Sequence, residues 1–165
     1  MILDLDTLPP HFRPRGTYVT IETSIEVNVP VRTAYNQWTQ FEEYPLFMEG
    51  VKEVHQLDAR HLHWKAEIGG QENEWEAEII EQTPDQRITW MSRSGVIYGG
   101  IVTFQPLSDA KSKVWLQLGY ISEGLVEHVG EGLRVVSLRI QGDLERFKAF
   151  IEKRDHKRGA WWRLI

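Results

Sequence analysis

Cysteine is absent from the 165 residues. That excludes disulfides, thiolate catalysis and cysteine-based zinc or iron–sulfur sites. No stretch approaches the ~18 consecutive apolar residues of a membrane-spanning helix. The N-terminus, Met1 to Gly16, carries acids and prolines but no basic segment followed by an apolar one. It does not read as a secretory signal, so a cytoplasmic protein is expected. There is no Gly-x-Ser-x-Gly elbow, P-loop, dinucleotide fingerprint or His-Glu-x-x-His, which removes the common signatures of hydrolases, nucleotide enzymes and zinc proteases. Basic charge is also short: 19 Lys and Arg against 24 Asp and Glu, a net of -5.

Charge is distributed unevenly. Lys153 to Ile165 holds Lys153, Arg154, Lys157, Arg158 and Arg163 against the single acid Asp155, so the preceding body is more acidic than the total suggests. An acidic body lacks the basic face that displaces phosphate counterions, and no nucleic-acid partner is expected. The basic end also carries Trp161 and Trp162. Such a segment could touch a membrane surface, a partner or RNA, but more often it is flexible or folds back on its own domain.

Aromatic residues are plentiful: seven Trp, five Tyr and six Phe. Each ring can bury ~150–250 Å². Either they fill a core, or they line a pocket for a flat or greasy ligand.

Periodicity places the elements. Met1 to Gly16, with Pro9, Pro10 and Pro14, reads as an extended arm. From Thr17, Val19, Ile21, Ile25, Val27 and Val29 alternate with polar residues, the signature of a strand with one buried face. Pro30 ends it and suits the first turn of a helix. Val31 to Trp38 and Phe41 to Phe47 then read as short helical pieces, broken near Pro45. Strands are expected over Val51–Leu57, His61–Ile68, Gln71–Gln82, Arg87–Ser92, Ile101–Leu107 and Lys113–Tyr120.

Gly69-Gly70 reads as a two-residue hairpin loop and fixes a register. Trp64 should face Trp75, Lys65 should face Glu74, His63 should face Glu76 and His61 should face Glu78. Aromatic then meets aromatic, and base meets acid. Thr83 to Gln86 is a proline turn, and Gly99-Gly100 marks a bulge or sharp curvature. From Leu133 to Ile151 the period becomes helical, with Leu133, Val136, Ile140, Leu144, Phe147 and Ile151 in one apolar stripe. Arg134, Asp143, Glu145, Arg146 and Lys148 lie off that stripe.

The order is a strand, two short helices, more strands and one long helix. It predicts an α+β helix-grip fold: a curved antiparallel sheet of about seven strands wrapped around the C-terminal helix. The domain is expected at 17–153, after the arm 1–16 and before a tail 154–165.

The run WTQFEEYPLFMEGV, Trp38 to Val51, resembles the helix-to-strand segment of the START-like superfamily, the group of polyketide cyclases/dehydrases and coenzyme Q-binding proteins. That segment often reads Phe-x-x-Tyr-Pro-x-Phe, and here those positions are Phe41, Tyr44, Pro45 and Phe47. Gly142 to Lys148 (GDLERFK) is similar to the group's last helix. The resemblance spans roughly Thr17 to Lys153. It implies a hydrophobic cavity between sheet and helix, used by carriers and enzymes alike for lipids, quinones or polyketides.

The candidate ligand-binding residues are therefore apolar and aromatic. Trp38, Phe41, Tyr44, Phe47 and Met48 are placed at the mouth. Trp64, Trp75, Trp90, Tyr98, Phe104, Leu116, Leu118 and Tyr120 are placed on the sheet, and Val136 and Ile140 on the helix. Polar groups expected to point inward are Ser92, Ser94, Tyr98, Thr103, Tyr120, Ser137 and Gln141, with no base placed beside any of them. His61 and His63 opposite Glu78 and Glu76 could ligate a metal, but a solvated face of charge pairs is the simpler reading, and no metal or cofactor is expected. The leading expectation is a non-catalytic carrier of a small apolar ligand in a cavity of ~300–1,000 Å³. A cyclase or dehydratase using acid–base residues of the same cavity is the first alternative. An interaction module using the acidic sheet face or the basic tail is the second.

Overall fold

The computed structural model describes residues 17–68, 70–92, 97–122 and 126–163. The arm 1–16, Gly69 and Ser94 lie outside them. Seven strands form one antiparallel sheet: β1 (Thr17–Val27), β2 (Val51–Gln56), β3 (His61–Ile68), β4 (Gln71–Thr83), β5 (Arg87–Ser92), β6 (Ile97–Ser108) and β7 (Lys111–Ser122). Their order is β1-β7-β6-β5-β4-β3-β2. All neighbours except β1 and β7 are consecutive in the chain, which is what hairpin connections produce. The sheet curls into a half-barrel around the C-terminal helix, so the α+β helix-grip architecture is the observed one.

Helix α1 (Val31–Trp38) starts after Pro30, whose carbonyl accepts the Ala34 amide at 3.1 Å. Its buried residues Ala34, Tyr35, Gln37 and Trp38 form the stripe that faces the sheet. A 3-10 helix follows at Phe41–Leu46, with Pro45 inside it. The terminal helix α2 runs from Val126 to Arg163, longer at both ends than its apolar stripe. Val136, Ile140, Leu144, Phe147 and Ile151 are all buried against the sheet. Arg154 ties the helix to the domain: Nη1 donates to Gln37 Oε1 and Glu43 Oε2, each at 2.8 Å. Among the described residues no helix is long and apolar enough to cross a membrane.

The β3–β4 register is the one the Gly-Gly loop dictates. Trp64 pairs with Trp75, Lys65 with Glu74, His63 with Glu76 and His61 with Glu78. Gly70 sits at φ +81°, open to glycine at little cost. A bulge interrupts the β5-facing side of β4 between Ile79 and Glu81, and another interrupts β6 between Ile97 and Gly99. Each bends its strand and raises the local twist, which is how an open sheet curls around a helix. The face away from α2 is not uniformly solvated, since Thr89, Met91, Ile101 and Gln117 are buried there too.

Candidate functional site

Curling leaves a wedge between the sheet and α2, and the wedge is hollow. The cavity measures about 150 Å³. It is smaller than the sequence suggested because tryptophans occupy much of the wedge. Trp64 and Trp75 stack across β3 and β4 with centroids 5.8 Å apart and planes 8° apart. Tyr44 lies 5.4 Å from Trp64 and 5.7 Å from Trp38. Its hydroxyl donates to the Trp38 carbonyl at 2.7 Å. Burial alone pushes that phenol well above its usual pKa.

The structure brings most of the sequence candidates to this one space. Trp38, Phe41, Tyr44 and Met48 line it from the short helices. Trp64, Trp75, Trp90, Leu116 and Leu118 line it from the sheet, and Val136 and Ile140 from α2. Phe47 and Phe104 do not line it. Phe47 packs on Phe147 at 5.2 Å, and Phe104 meets Tyr35 at 5.4 Å, so both are core residues behind the wall. Tyr98 and Tyr120 sit in β6 and β7, and their side chains lie outside the described residues. Of the polar candidates, Ser92 lines the cavity, with its buried Oγ unpartnered in hydrogen bonding. Thr103 does not line it, and Gln141 is exposed.

The mouth carries charge. Glu49, Gly50, Arg139 and Asp143 also belong to the lining. Two α2 side chains, Asp143 and Arg146, strap the loop after the 3-10 helix, and Arg139, one turn earlier, reaches β3. Arg139 Nη1 donates to the Glu67 carbonyl at 2.8 Å, Asp143 Oδ1 accepts the Glu49 amide at 2.9 Å, and Arg146 Nε donates to the Phe47 carbonyl at 3.2 Å. Arg146 also pairs with Asp143 and, at 3.5 Å, with Glu49. The Asp143 side chain is only 13% exposed. Burial raises its pKa against the opposing pull of Arg146 and the Glu49 amide.

Against this geometry, the family of polyketide cyclases/dehydrases and lipid transport proteins matches residues 27–144. The chain belongs to that family. A relative in Streptomyces lincolnensis, an uncharacterised 17.2 kDa protein, is 46% identical over 142 residues, covering 86% of this chain and 95% of its own. The fold is shared with a START superfamily protein of Mycobacterium smegmatis (TM-score 0.72, 15% identity, 81% of this chain and 97% of that one). It is shared equally with an aromatase/cyclase from a Streptomyces species (TM-score 0.71, 12% identity, 84% and 96%). At such identities the two structures testify to the fold alone.

A polyketide cyclase/dehydrase-type cavity is thus lined here by aromatic and aliphatic side chains plus a short charged rim. Sequence reasoning missed Arg139 and Asp143 because both lie off the apolar stripe of α2. Their i, i+4 spacing opposite a loop holding Glu49 and Gly50 was the available signal. Outside the cavity, His61 pairs with Asp58 at 2.9 Å, and Lys65 reaches diagonally to Glu72 at 3.0 Å. Among the described residues no group of three or more His, Asp and Glu could hold a metal ion.

Proposed function

We infer that the protein binds a small hydrophobic ligand in the wedge between sheet and helix, as a carrier rather than a catalyst. The observation that carries this reading is the cavity itself. A void of about 150 Å³ walled by four tryptophans forfeits packing contacts that a solid core would make. An apolar guest restores those contacts without needing specific polar partners, and it is held by area alone. Membership in a family that includes lipid transport supports the same reading. Native mass spectrometry of freshly purified protein tests it. A co-purified apolar molecule, or saturable quenching of tryptophan fluorescence by an added aromatic hydrocarbon, is expected. The absence of both effects in wild type would overturn the proposal.

One observation favours a second reading, turnover of a polyketide-like substrate. Asp143 is a carboxyl on the cavity wall whose pKa burial raises, and a perturbed carboxyl beside a cavity is a candidate acid–base group. Turnover of a poly-β-ketone thioester that disappears in Asp143→Asn, while binding persists, would establish it. Binding without turnover in wild type leaves the carrier.

A further inference from the structure

The charged groups at the mouth are not equally matched. Asp143 and Glu49 are both paired with Arg146. Lys52, on the neighbouring strand β2, is paired with Glu72 and Glu67. Arg139 is different: among the described residues it forms no ion pair, and its hydrogen bond is to the neutral Glu67 carbonyl. A guanidinium carries five N–H donors, so most of its capacity is unused. It is also part of the cavity lining, half-buried at the rim. Gly50 makes the placement possible, since a Cβ there would come within 2.9 Å of Arg139 Nη1. Asp143 acts on it through space, but no carboxylate among the described residues closes on its fork, which an arriving anion can therefore occupy.

We propose that the ligand of this cavity is an amphipathic carboxylate, its apolar body among the tryptophans and its carboxylate on the Arg139 guanidinium. The proposal rests on the ligand-binding reading above and specifies its ligand class. A carboxylate matches the planar fork of an arginine. The neighbouring Asp143 stands one helical turn away. Its carboxylate is already held by Arg146 and the Glu49 amide, which lessens its repulsion of an arriving anion. A neutral hydrocarbon would leave Arg139 as it is, and a cation would be repelled by it.

The test compares 2-naphthoate with 2-naphthylmethanol, the same rings ending in a carboxylate or an alcohol, by calorimetric titration of the full chain. Wild type should bind naphthoate about tenfold more tightly, as expected for a hydrogen bond to a charged group. Arg139→Gln should erase the difference while leaving naphthylmethanol binding in place. A second measurement needs no variant: the Arg139 Nε–H resonance should shift with naphthoate and stay fixed with naphthylmethanol. Equal affinities in wild type, a preference that survives Arg139→Gln, or an unmoved resonance overturns the proposal and leaves the cavity reading intact. Failure of both probes to bind overturns both.

Discussion

Gly100 lies directly against the indole of Trp90. A methyl group built on its Cα would sit 2.5 Å from Cη2 of that ring and 2.8 Å from a Leu118 methyl. The missing side chain is what lets Trp90 lie flat on the curved sheet and form part of the cavity wall. Gly100→Ala must therefore push Trp90 or Leu118 off its rotamer. Overpacking of this kind costs about 1–3 kcal/mol. Scanning calorimetry should show a lower Tm, and the tryptophan emission should shift with it.

Gly50 is constrained twice. Its φ of +86° suits glycine, and a Cβ would sit 2.8 Å from the Glu67 carbonyl oxygen. Gly50→Ala should cost about 1–3 kcal/mol. It should also loosen the packing between the mouth loop and Arg139, so amide exchange at the neighbouring Val51 and Glu67 should accelerate while exchange in β6 and β7 stays slow.

The Tyr44 hydroxyl has one job within the described contacts, to satisfy the Trp38 carbonyl at the end of α1. Tyr44→Phe should cost about 1 kcal/mol in urea unfolding, the usual net value of one such bond. The protonated phenol is favoured by the fold. Stability should therefore fall in wild type as pH rises beyond ~10, where the unfolded phenol ionises. This alkaline decline should be shallower in the variant.

Asp143 gives a pH dependence of the same sign in a lower window. Its folded pKa lies above its unfolded value, so the native state holds the proton longer. The stability from that proton is present at low pH and is lost as pH climbs from ~4 through the raised pKa. Asp143→Asn removes the titration. Denaturant melts across that range should show wild type losing stability relative to the variant as pH rises. A flat difference would contradict the assignment.

The hairpin at Gly69-Gly70 was fully legible, because a two-residue loop and a period of two leave one register that puts Trp64 beside Trp75 and the glutamates outside. The aromatic wall was legible in part for a related reason: Trp64 and Trp75 alternate with His63, Lys65, Glu74 and Glu76, and alternation assigns a face. Phe47 and Phe104 were misplaced because facing inward does not distinguish a cavity wall from the packing behind it. Arg139 and Asp143 were invisible as site residues because the helical stripe treats every position beside it as solvent.

What the sequence settled alone is whatever depends on nearest neighbours along the chain: the strand and helix periods, the hairpin register, the apolar faces and hence the helix-grip order of elements. Local sterics and the separation of apolar from polar side chains decide those. What only the assembled structure decided is how much space remains. The volume of the hollow, and the burial of Asp143 and Arg139 at its mouth, follow from how the loop of Glu49 and Gly50 closes against α2. They are set by contacts between segments some ninety residues apart, and no local pattern encodes such distances.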